Sequence, residues 1–428
     1  MPTIACHTLG CKVNQYDTQA MLEQFLNDGW SSVPFSDEAD IYLINTCTVT
    51  GTGDKKSLQL ARRIKREHPD STVILCGCLA QSRPELLMEA GADLVIGTSR
   101  RNEVVSLAKR VMESGRPLCA VSPLSAGQPY EDLFITTQND RARAVIKIQE
   151  GCDNKCTYCI IPSVRGPVRS REPEKILAEA ARLCASGYRE LVITGIHLSS
   201  YGRDLGCSLS DALKALSSVD GLERIRLGSL EPTVVTSQFV DDLISIPALC
   251  PQFHLALQSG SDSVLRRMRR RYNTGQYLAA VERLRSGFPG CALTTDILTG
   301  FPGETEEEFS QTEEFIKLVG YSRIHVFPYS PRPGTPAASM PDQISRQEKA
   351  NRVSRLIRVG DEMALRYMSS WEGKEASFIP EEHSGDEWTG YTPEYIKVLV
   401  NDPVCEYGVP VKVRLHSDSP RGMRGEIV

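Results

Sequence analysis

The sequence predicts an α/β fold in three parts: an N-terminal doubly wound parallel sheet, a central partial (β/α)6 barrel and a small C-terminal antiparallel β-barrel. Three observations carry this reading. Short apolar strands alternate with helical stretches through residues 1–115, which is the pattern of a parallel sheet with crossover helices. A second alternating series begins at Ala144 and supplies six strand–helix units, too few for a closed eight-unit barrel. After Trp371 the pattern changes to five short strands within 58 residues, as in a small barrel.

Taken in order, the first series places strands at 3–6, 41–44, 73–76 and 94–96, with helices near 18–27, 57–67, 85–90 and 103–113. Residues 1–117 form the first domain. Residues 118–141 are rich in Pro, Ser, Gly, Gln, Asn and Asp and read as a linker. The second domain covers 142–370. Its strands fall at 144–149, 191–194, 224–227, 253–257, 293–298 and 324–329, and a long helix follows at 345–369. Residues 371–428 hold the last strands, at 376–379, 388–392, 396–400, 411–415 and 425–428.

Composition excludes several classes. Apolar residues make up 41% and charged residues 24% of the 428-residue chain, ordinary for a globular protein. No apolar run approaches the ~20 residues of a membrane helix, and Met1–His7 has no basic region followed by an apolar one, so a cytoplasmic protein is expected. The net charge of −5 divides as −3 over residues 1–141, +3 over 142–370 and −5 over 371–428. A sequence-independent nucleic-acid binder is usually basic throughout, so any nucleic-acid contact here is local.

The 14 cysteines are the most informative residues. In a reducing compartment, a clustered subset points to metal binding or catalysis. Cys184, Cys250, Cys291 and Cys405 stand alone in apolar stretches, and Cys6 and Cys76 lie within strands; these read as structural. The run Gly151-Cys152-Asp153-Asn154-Lys155-Cys156-Thr157-Tyr158-Cys159 has C-x3-C-x2-C spacing just after the first strand of the barrel. Three thiolates can hold three irons of a 4Fe–4S cube and leave the fourth open for a substrate or cofactor. Structural zinc normally takes four ligands, often as paired knuckles, and no matching second pair follows. Cys11, Cys47 and Cys78 lie 36 and 31 residues apart, which alone says little. Each follows the C-terminal end of a strand, however, where open parallel sheets bind ligands. Spacing and position leave open either a second three-thiolate cluster or separate structural thiols.

These segments resemble the radical S-adenosylmethionine (SAM) methylthiotransferases over nearly the whole chain. The CxxxCxxC loop with Tyr158 resembles the radical SAM signature. Gly10-Cys11-Lys12-Val13-Asn14-Gln15, Asn45-Thr46-Cys47-Thr48 and Gly77-Cys78-Leu79-Ala80-Gln81 resemble the three-cysteine N-terminal domain of that family, and the last strands are placed like its TRAM barrel. The resemblance implies two 4Fe–4S clusters, one on Cys152, Cys156 and Cys159 and an auxiliary one on Cys11, Cys47 and Cys78. It implies one SAM as source of a 5′-deoxyadenosyl radical, another as methyl donor, and a low-potential electron donor such as flavodoxin or ferredoxin. It also implies SAM contacts at Thr194, Gly195, Ser229, Glu231, Gln258 and Asp296, all at strand ends. Beyond the cluster ligands it implies no separate catalytic residue. His197 reads as a satisfied structural donor.

The substrate implied is tRNA. His7–Gln15, 195–202, 226–232 and 325–330 resemble the branch that inserts a methylthio group at C2 of N6-threonylcarbamoyladenosine beside the anticodon, more than the branches acting on isopentenyladenosine or on a ribosomal-protein aspartate. Arg165 and Arg169 (with Arg171), the run Arg269, Arg270 and Arg271, the basic face of the long helix, and Lys412 and Arg414 are the expected RNA contacts, since guanidinium groups pair with phosphate. The acidic C-terminal segment either keeps a local basic patch through Lys374, Lys397, Lys412, Arg414, Arg421 and Arg424 or serves mainly to cover the barrel. Two other classes remain: an iron–sulfur electron-transfer protein and an RNA-binding protein with structural zinc. The oligomeric state is not legible in the sequence.

Overall fold

The computed structural model describes residues 1–428 apart from 139, 140, 403, 420 and 421, so Arg421 and part of the linker lie outside the described residues. The N-terminal unit is a parallel sheet built from β1 (Thr3–Thr8), β2 (Ser31–Ser32), β3 (Ile41–Thr46), β4 (Thr72–Gly77), β5 (Leu94–Ile96) and β6 (Leu118–Cys119), in the order β2-β1-β3-β4-β5-β6. Helices α1 (Lys12–Asn27), α2 (Gly51–Glu67), α3 (Cys78–Ser82), α4 (Pro84–Glu89) and α5 (Val104–Ser114) cross between the strands. β3 is buried at all six positions, as a strand covered on both faces must be. The order reverses between β1 and β3, which opens a crevice at their carboxyl ends.

The central unit begins with β7 (Ala144–Glu150). Then come α6 (Ile161–Arg165), β8 (Arg169–Ser170), α7 (Pro173–Ala185), β9 (Glu190–Gly195), α8 (Leu209–Leu216), β10 (Arg224–Leu227) and β11 (Ser229–Leu230). The second half holds α9 (Ser237–Ile244), β12 (Gln252–Leu255), α10 (Asp262–Arg267), α11 (Thr274–Gly287), β13 (Ala292–Thr299), α12 (Glu306–Val319), β14 (Arg323–Pro328) and α13 (Arg346–Ser369). Two four-stranded sheets result, β10-β9-β7-β8 and β11-β12-β13-β14. They meet where Gly228 separates β10 from β11, so one chain segment passes from the first sheet into the second. Six parallel strand positions thus make an open barrel, with short β8 pairing antiparallel to β7. Leu, Ile and Val from strands and surrounding helices share one core.

The last unit is a closed barrel of β15 (Glu375–Ser384), β16 (Glu387–Tyr391), β17 (Lys397–Val400), β18 (Val411–Ser419) and β19 (Gly422–Ile427), in the order β15-β16-β17-β19-β18. Its β17–β19 pair is parallel, a departure from the fully antiparallel expectation. It docks on the central barrel through buried charge. Glu190, fully buried, accepts from Arg226 at 2.6 Å and lies within 3.6 Å of Arg143 and Arg224. The same arginines reach across: Arg226 donates to the carbonyls of Thr392 and Pro393, Arg224 to that of Ser377, and Arg143 pairs with Glu381.

The linker is more tightly held than its composition suggests. β6 already adds an edge strand, and Leu133 and Ile135 enter the core of the central barrel. Tyr16 of α1 donates to the Leu133 carbonyl at 2.6 Å, and Glu179 of α7 accepts from the Ile135 amide at 2.7 Å.

A buried ionic network joins the first two units. Asp17 of α1 and Glu150 of β7 are surrounded by Arg101, Lys147 and Arg165, all at most 3% exposed, with Glu131 of the linker also on Arg101. Burial opposes ionisation of both carboxylates, yet the surrounding cations outweigh it and hold both below their usual range. Removing one member strands the others without water. Asp17→Ala is therefore expected to cost about 3–5 kcal/mol of unfolding free energy, measured by urea denaturation against wild type; a loss below about 0.5 kcal/mol would contradict it.

Candidate active site

Three cysteines meet at the crevice of the N-terminal sheet. Cys11 follows β1 and caps the start of α1, Cys47 follows β3 directly, and Cys78 is the first residue of α3 after β4. Glycines make the approach possible. Gly10 has φ 108°, and a Cβ there would sit 3.0 Å from the Cys47 Cβ. Gly77 has φ 93°, and its Cβ would fall 2.2 Å from Asn45 Oδ1. Burial pushes the Cys47 thiol up and the Cys78 thiol up to about 12, with each of the other two sulfurs adding to the effect on Cys78. Cys6 and Cys76 stay within β1 and β4, and Cys184, Cys250, Cys291 and Cys405 are buried apart from these sites.

Cys152, Cys156 and Cys159 occupy the loop between β7 and α6. Gly151 sets its start: φ is 76°, and a Cβ would lie 1.8 Å from the Pro167 carbonyl oxygen. Burial, with the neighbouring sulfurs of the loop adding to it, raises Cys152 to about 11 and Cys159 to about 12. α6 ties this loop to the other trio, since Ile160 and Val164 pack against Cys78 in one apolar cluster.

One buried arginine stands beside a sulfur in each trio. Arg165 Nε lies 3.2 Å from Cys78 Sγ, and Arg270 Nη1 lies 3.2 Å from Cys156 Sγ. Both had been expected at the RNA surface. The structure corrects this: Arg165 is fully buried among Asp17, Glu150 and Asn14, and Arg169 is buried with its guanidinium on the Arg165 carbonyl. Arg171 is likewise enclosed by Glu179 and Asp132. The Arg270 side chain is only 7% exposed and donates to Glu231 at 2.8 Å. Arg269, Arg271 and Lys412 are exposed, and half-buried Arg414 pairs with Glu375 at 3.1 Å. On α13, Arg352 and Arg355 are engaged by Glu304, Glu306 and Glu313.

Of the SAM-site residues expected at strand ends, Thr194 and Gly195 close β9, Glu231 follows β11 and Gln258 comes after β12, whereas Ser229 opens β11 and Asp296 lies within β13. Glu231 accepts from Asn154 of the cysteine loop at 3.1 Å and lies 3.2 Å from His197 Nε2. Burial alone would raise its carboxyl, but His197, Arg270 and Asn154 bring it down to about 2. His197 is satisfied by Glu231 and Ser200, as the structural reading expects. Gly195 leaves room for Gln149, whose Cβ would be 2.8 Å from an added methyl, and Gln149 accepts from the His197 amide. Gln258 adopts φ 70° and its amide donates to the Asp296 carbonyl. Asp296 itself lies 3.4 Å from His254 Nε2.

A cavity of about 550 Å³ lies between the Cys11 loop and several of the strand ends. Cys11, Lys12 and Gln15 line it from α1, Thr194, Gly195 and Ser229 from the strand ends, and His254, His325, Arg226 and Tyr395 from below. Its size is that of a small-ligand site. Sequence reasoning did not single out Lys12, Asn154 or Arg332. Arg332 donates to Thr48 at 2.7 Å and to Asp54, holding the Cys47 loop to the barrel, and no local sequence signal marks it.

The donor set fits iron–sulfur clusters. All six thiols are free, each trio is three sulfurs with no fourth cysteine beside it, and a buried cation stands by to offset thiolate charge. Among the described residues no three His, Cys, Asp or Glu side chains converge on a point as a single metal ion requires. A four-iron cube takes its thiolates at separate corners, so a wider spacing suits it better than it suits zinc.

Comparison with known proteins agrees with this architecture. Residues 3–97 match the model of the uncharacterized protein family UPF0004, and residues 146–316 match the radical SAM superfamily. The threonylcarbamoyladenosine tRNA methylthiotransferase MtaB of Bacillus subtilis is 42% identical over 97% of this chain and 94% of its own length. The chain belongs to the radical SAM methylthiotransferases. As such it is an enzyme, with SAM and a 4Fe–4S cluster as the cofactors of its class. The MtaB of Thermotoga maritima is 36% identical over 99% of the chain and 96% of its own length. A tRNA-2-methylthio-N6-dimethylallyladenosine synthase of Frankia alni is 36% identical over 90% of the chain and 78% of its own length. The radical SAM methyltransferase TsrM of Kitasatospora setae shares the fold, with a TM-score of 0.59 at 13% identity, over 79% of this chain and 74% of that one. No helix among the described residues is long and apolar enough to cross a membrane.

Arg270 and Arg271 are adjacent but differently placed, which separates structure from surface. Arg270→Met strands the Glu231 carboxylate and is expected to lower the unfolding free energy by about 3 kcal/mol. Arg271→Met is expected to change it by less than about 0.5 kcal/mol. Parallel thermal unfolding of the two variants checks the contrast, and equal losses would refute it.

Proposed function

We propose that this methylthiotransferase acts on tRNA and inserts a methylthio group at C2 of N6-threonylcarbamoyladenosine beside the anticodon. The observation that carries the reading is the shared cavity: Cys11 of one trio and the SAM-site strand ends Thr194, Gly195 and Ser229 border the same space. A reaction that joins a substrate carbon to a sulfur needs the radical source and the sulfur holder on either side of one substrate. The relatives named for threonylcarbamoyladenosine and the motifs around Cys11, Gly195, Ser229 and His325 support this nucleoside.

In this reading Cys152, Cys156 and Cys159 hold one 4Fe–4S cluster and Cys11, Cys47 and Cys78 a second. When bound, these clusters and two SAM molecules supply reductive SAM cleavage, hydrogen abstraction and the methylated sulfur. The chain's own residues do the rest. Glu231, fixed by Asn154, Arg270 and His197, stays ionised at neutral pH and would favour a cationic group of bound SAM. Arg165 and Arg270 hold positive charge against Cys78 and Cys156. Thr194, Gly195, Ser229, Gln258 and Asp296 shape the SAM site. Exposed Arg269, Arg271 and Lys412 remain as RNA contacts, and a low-potential donor such as flavodoxin or ferredoxin supplies electrons in the cytoplasm. Methylthiolation of isopentenyladenosine is the second reading, favoured by the 36% identity to the dimethylallyladenosine enzyme.

The direct test is mass spectrometry of tRNA nucleosides from cells with and without this protein. Loss of 2-methylthio-N6-threonylcarbamoyladenosine with accumulation of its precursor is expected; an unchanged level of that nucleoside refutes the substrate. Two variants separate the cysteine trios. Cys152→Ala is expected to abolish SAM cleavage in an anaerobic assay, whereas Cys47→Ala retains some uncoupled cleavage without sulfur insertion. Full product from either variant would overturn the assignment of its trio.

A further inference from the structure

The cavity that Cys11 shares with the strand ends is lined by two cations and two histidines and, among the described residues, by no carboxylate. Its titratable residues other than Cys11 and Tyr395 are Lys12, Arg226, His254 and His325. The nearest acids are already engaged, Glu190 by Arg226 and Asp296 beside His254. Arg226 is also committed to the carbonyls of Thr392 and Pro393. Lys12 differs from it. Lys12 is exposed where it lines the cavity, and among the described residues its ammonium has no hydrogen bond and no ion pair. One turn along α1, Gln15 also lines this cavity, and its Oε1 is buried without a hydrogen-bond partner. A cation and an amide oxygen left unpaired on one helix face describe a site for a ligand that carries an anion and a donor together.

Resting on the substrate reading above, we propose that Lys12 is the specificity residue of this enzyme. It reads the carboxylate of the N6 substituent and so selects threonylcarbamoyladenosine over adenosines with an apolar N6 group. The chemistry of adenine suits the position. C2 and C6 flank N1 on one edge of the ring, so the residue next to Cys11 can reach an N6 substituent while the sulfur is delivered to C2. Gln15 Oε1 accepts from the substituent's hydroxyl or amide, and His325 offers a further ring nitrogen to the carboxylate. An isopentenyl group would leave Lys12 desolvated and unpaired, which penalises the wrong substrate.

The test uses cluster-loaded enzyme without reductant, so binding is read apart from turnover. Three anticodon stem-loop RNAs are titrated: one with threonylcarbamoyladenosine, one with its carboxylate converted to a carboxamide, and one with isopentenyladenosine. Wild type is expected to bind the carboxylate RNA about 10- to 100-fold more tightly than the carboxamide RNA. Lys12→Met should erase that difference, Lys12→Arg should keep most of it, and both should bind SAM within about twofold of wild type. Iron content is measured for each, with Lys12→Gln as the second neutral variant should Lys12→Met assemble less iron. A difference that survives in the neutral variants overturns the role of Lys12. A fall in SAM affinity with intact RNA discrimination overturns it too, and assigns the lysine to the SAM carboxylate. Equal binding of all three RNAs by wild type overturns carboxylate selection. A wild-type preference for the isopentenyl RNA refutes instead the substrate reading on which the proposal rests.

Discussion

The cluster of Asp17, Glu150, Arg101, Lys147 and Arg165 is the contact on which the rest of the arrangement depends. Its members come from α1, β7, α6 and the segment before α5, so it spans both cysteine-bearing units. An apolar seam tolerates sliding, because burial is non-directional. Buried charges do not, since each loses water and is compensated only by a partner at one place. The relative position of the N-terminal sheet and the barrel is thereby fixed. Arg165 carries that constraint to the chemistry, because the same guanidinium that meets Asp17 and Glu150 also meets the sulfur of Cys78. It sits at the end of the short helix that leaves the other cysteine loop.

The three-part fold was legible because period and punctuation are local. Each of the 15 strands expected from the sequence lies within two residues of an observed strand at its start or end, and several run longer, as β1 does through Thr8 and β15 through Ser384. Those extensions matter, since β3 runs to Thr46 and delivers Cys47 directly after its last residue. The two-residue strands β2 and β6 were not expected, being too short for any period. The meeting of Cys11, Cys47 and Cys78 followed from strand order, a global property that alternation alone can suggest.

Burial of charge was not legible. Arg165, Arg169 and Arg270 read as surface residues because an arginine run is usually solvated, and nothing nearby in sequence announces partners such as Asp17, 148 residues away from Arg165. Glu231 was found through its place at a strand end, whereas Asn154, which positions it, is one residue among several between two cysteines. Lys12 was hidden for a similar reason: it stands beside Cys11, and only the fold shows that it lines the cavity with no ion pair among the described residues. The acidic C-terminal barrel now has a physical role. It offers backbone carbonyls and Glu381 to Arg143, Arg224 and Arg226 and brings Tyr395 to the cavity floor. That is the covering function, and Lys412 on β18, like Arg269 and Arg271, is exposed.

The central claim is that each cysteine trio holds an iron–sulfur cluster, on either side of the seam held by that ionic network. Crystals of the anaerobically reconstituted protein, measured at the iron absorption edge, test it most directly. Two separate anomalous peaks are predicted, one among Cys11, Cys47 and Cys78, beside the cavity that Lys12 and Ser229 line, and the other among Cys152, Cys156 and Cys159. A single peak, or iron bound away from either trio in fully reconstituted protein, would contradict it.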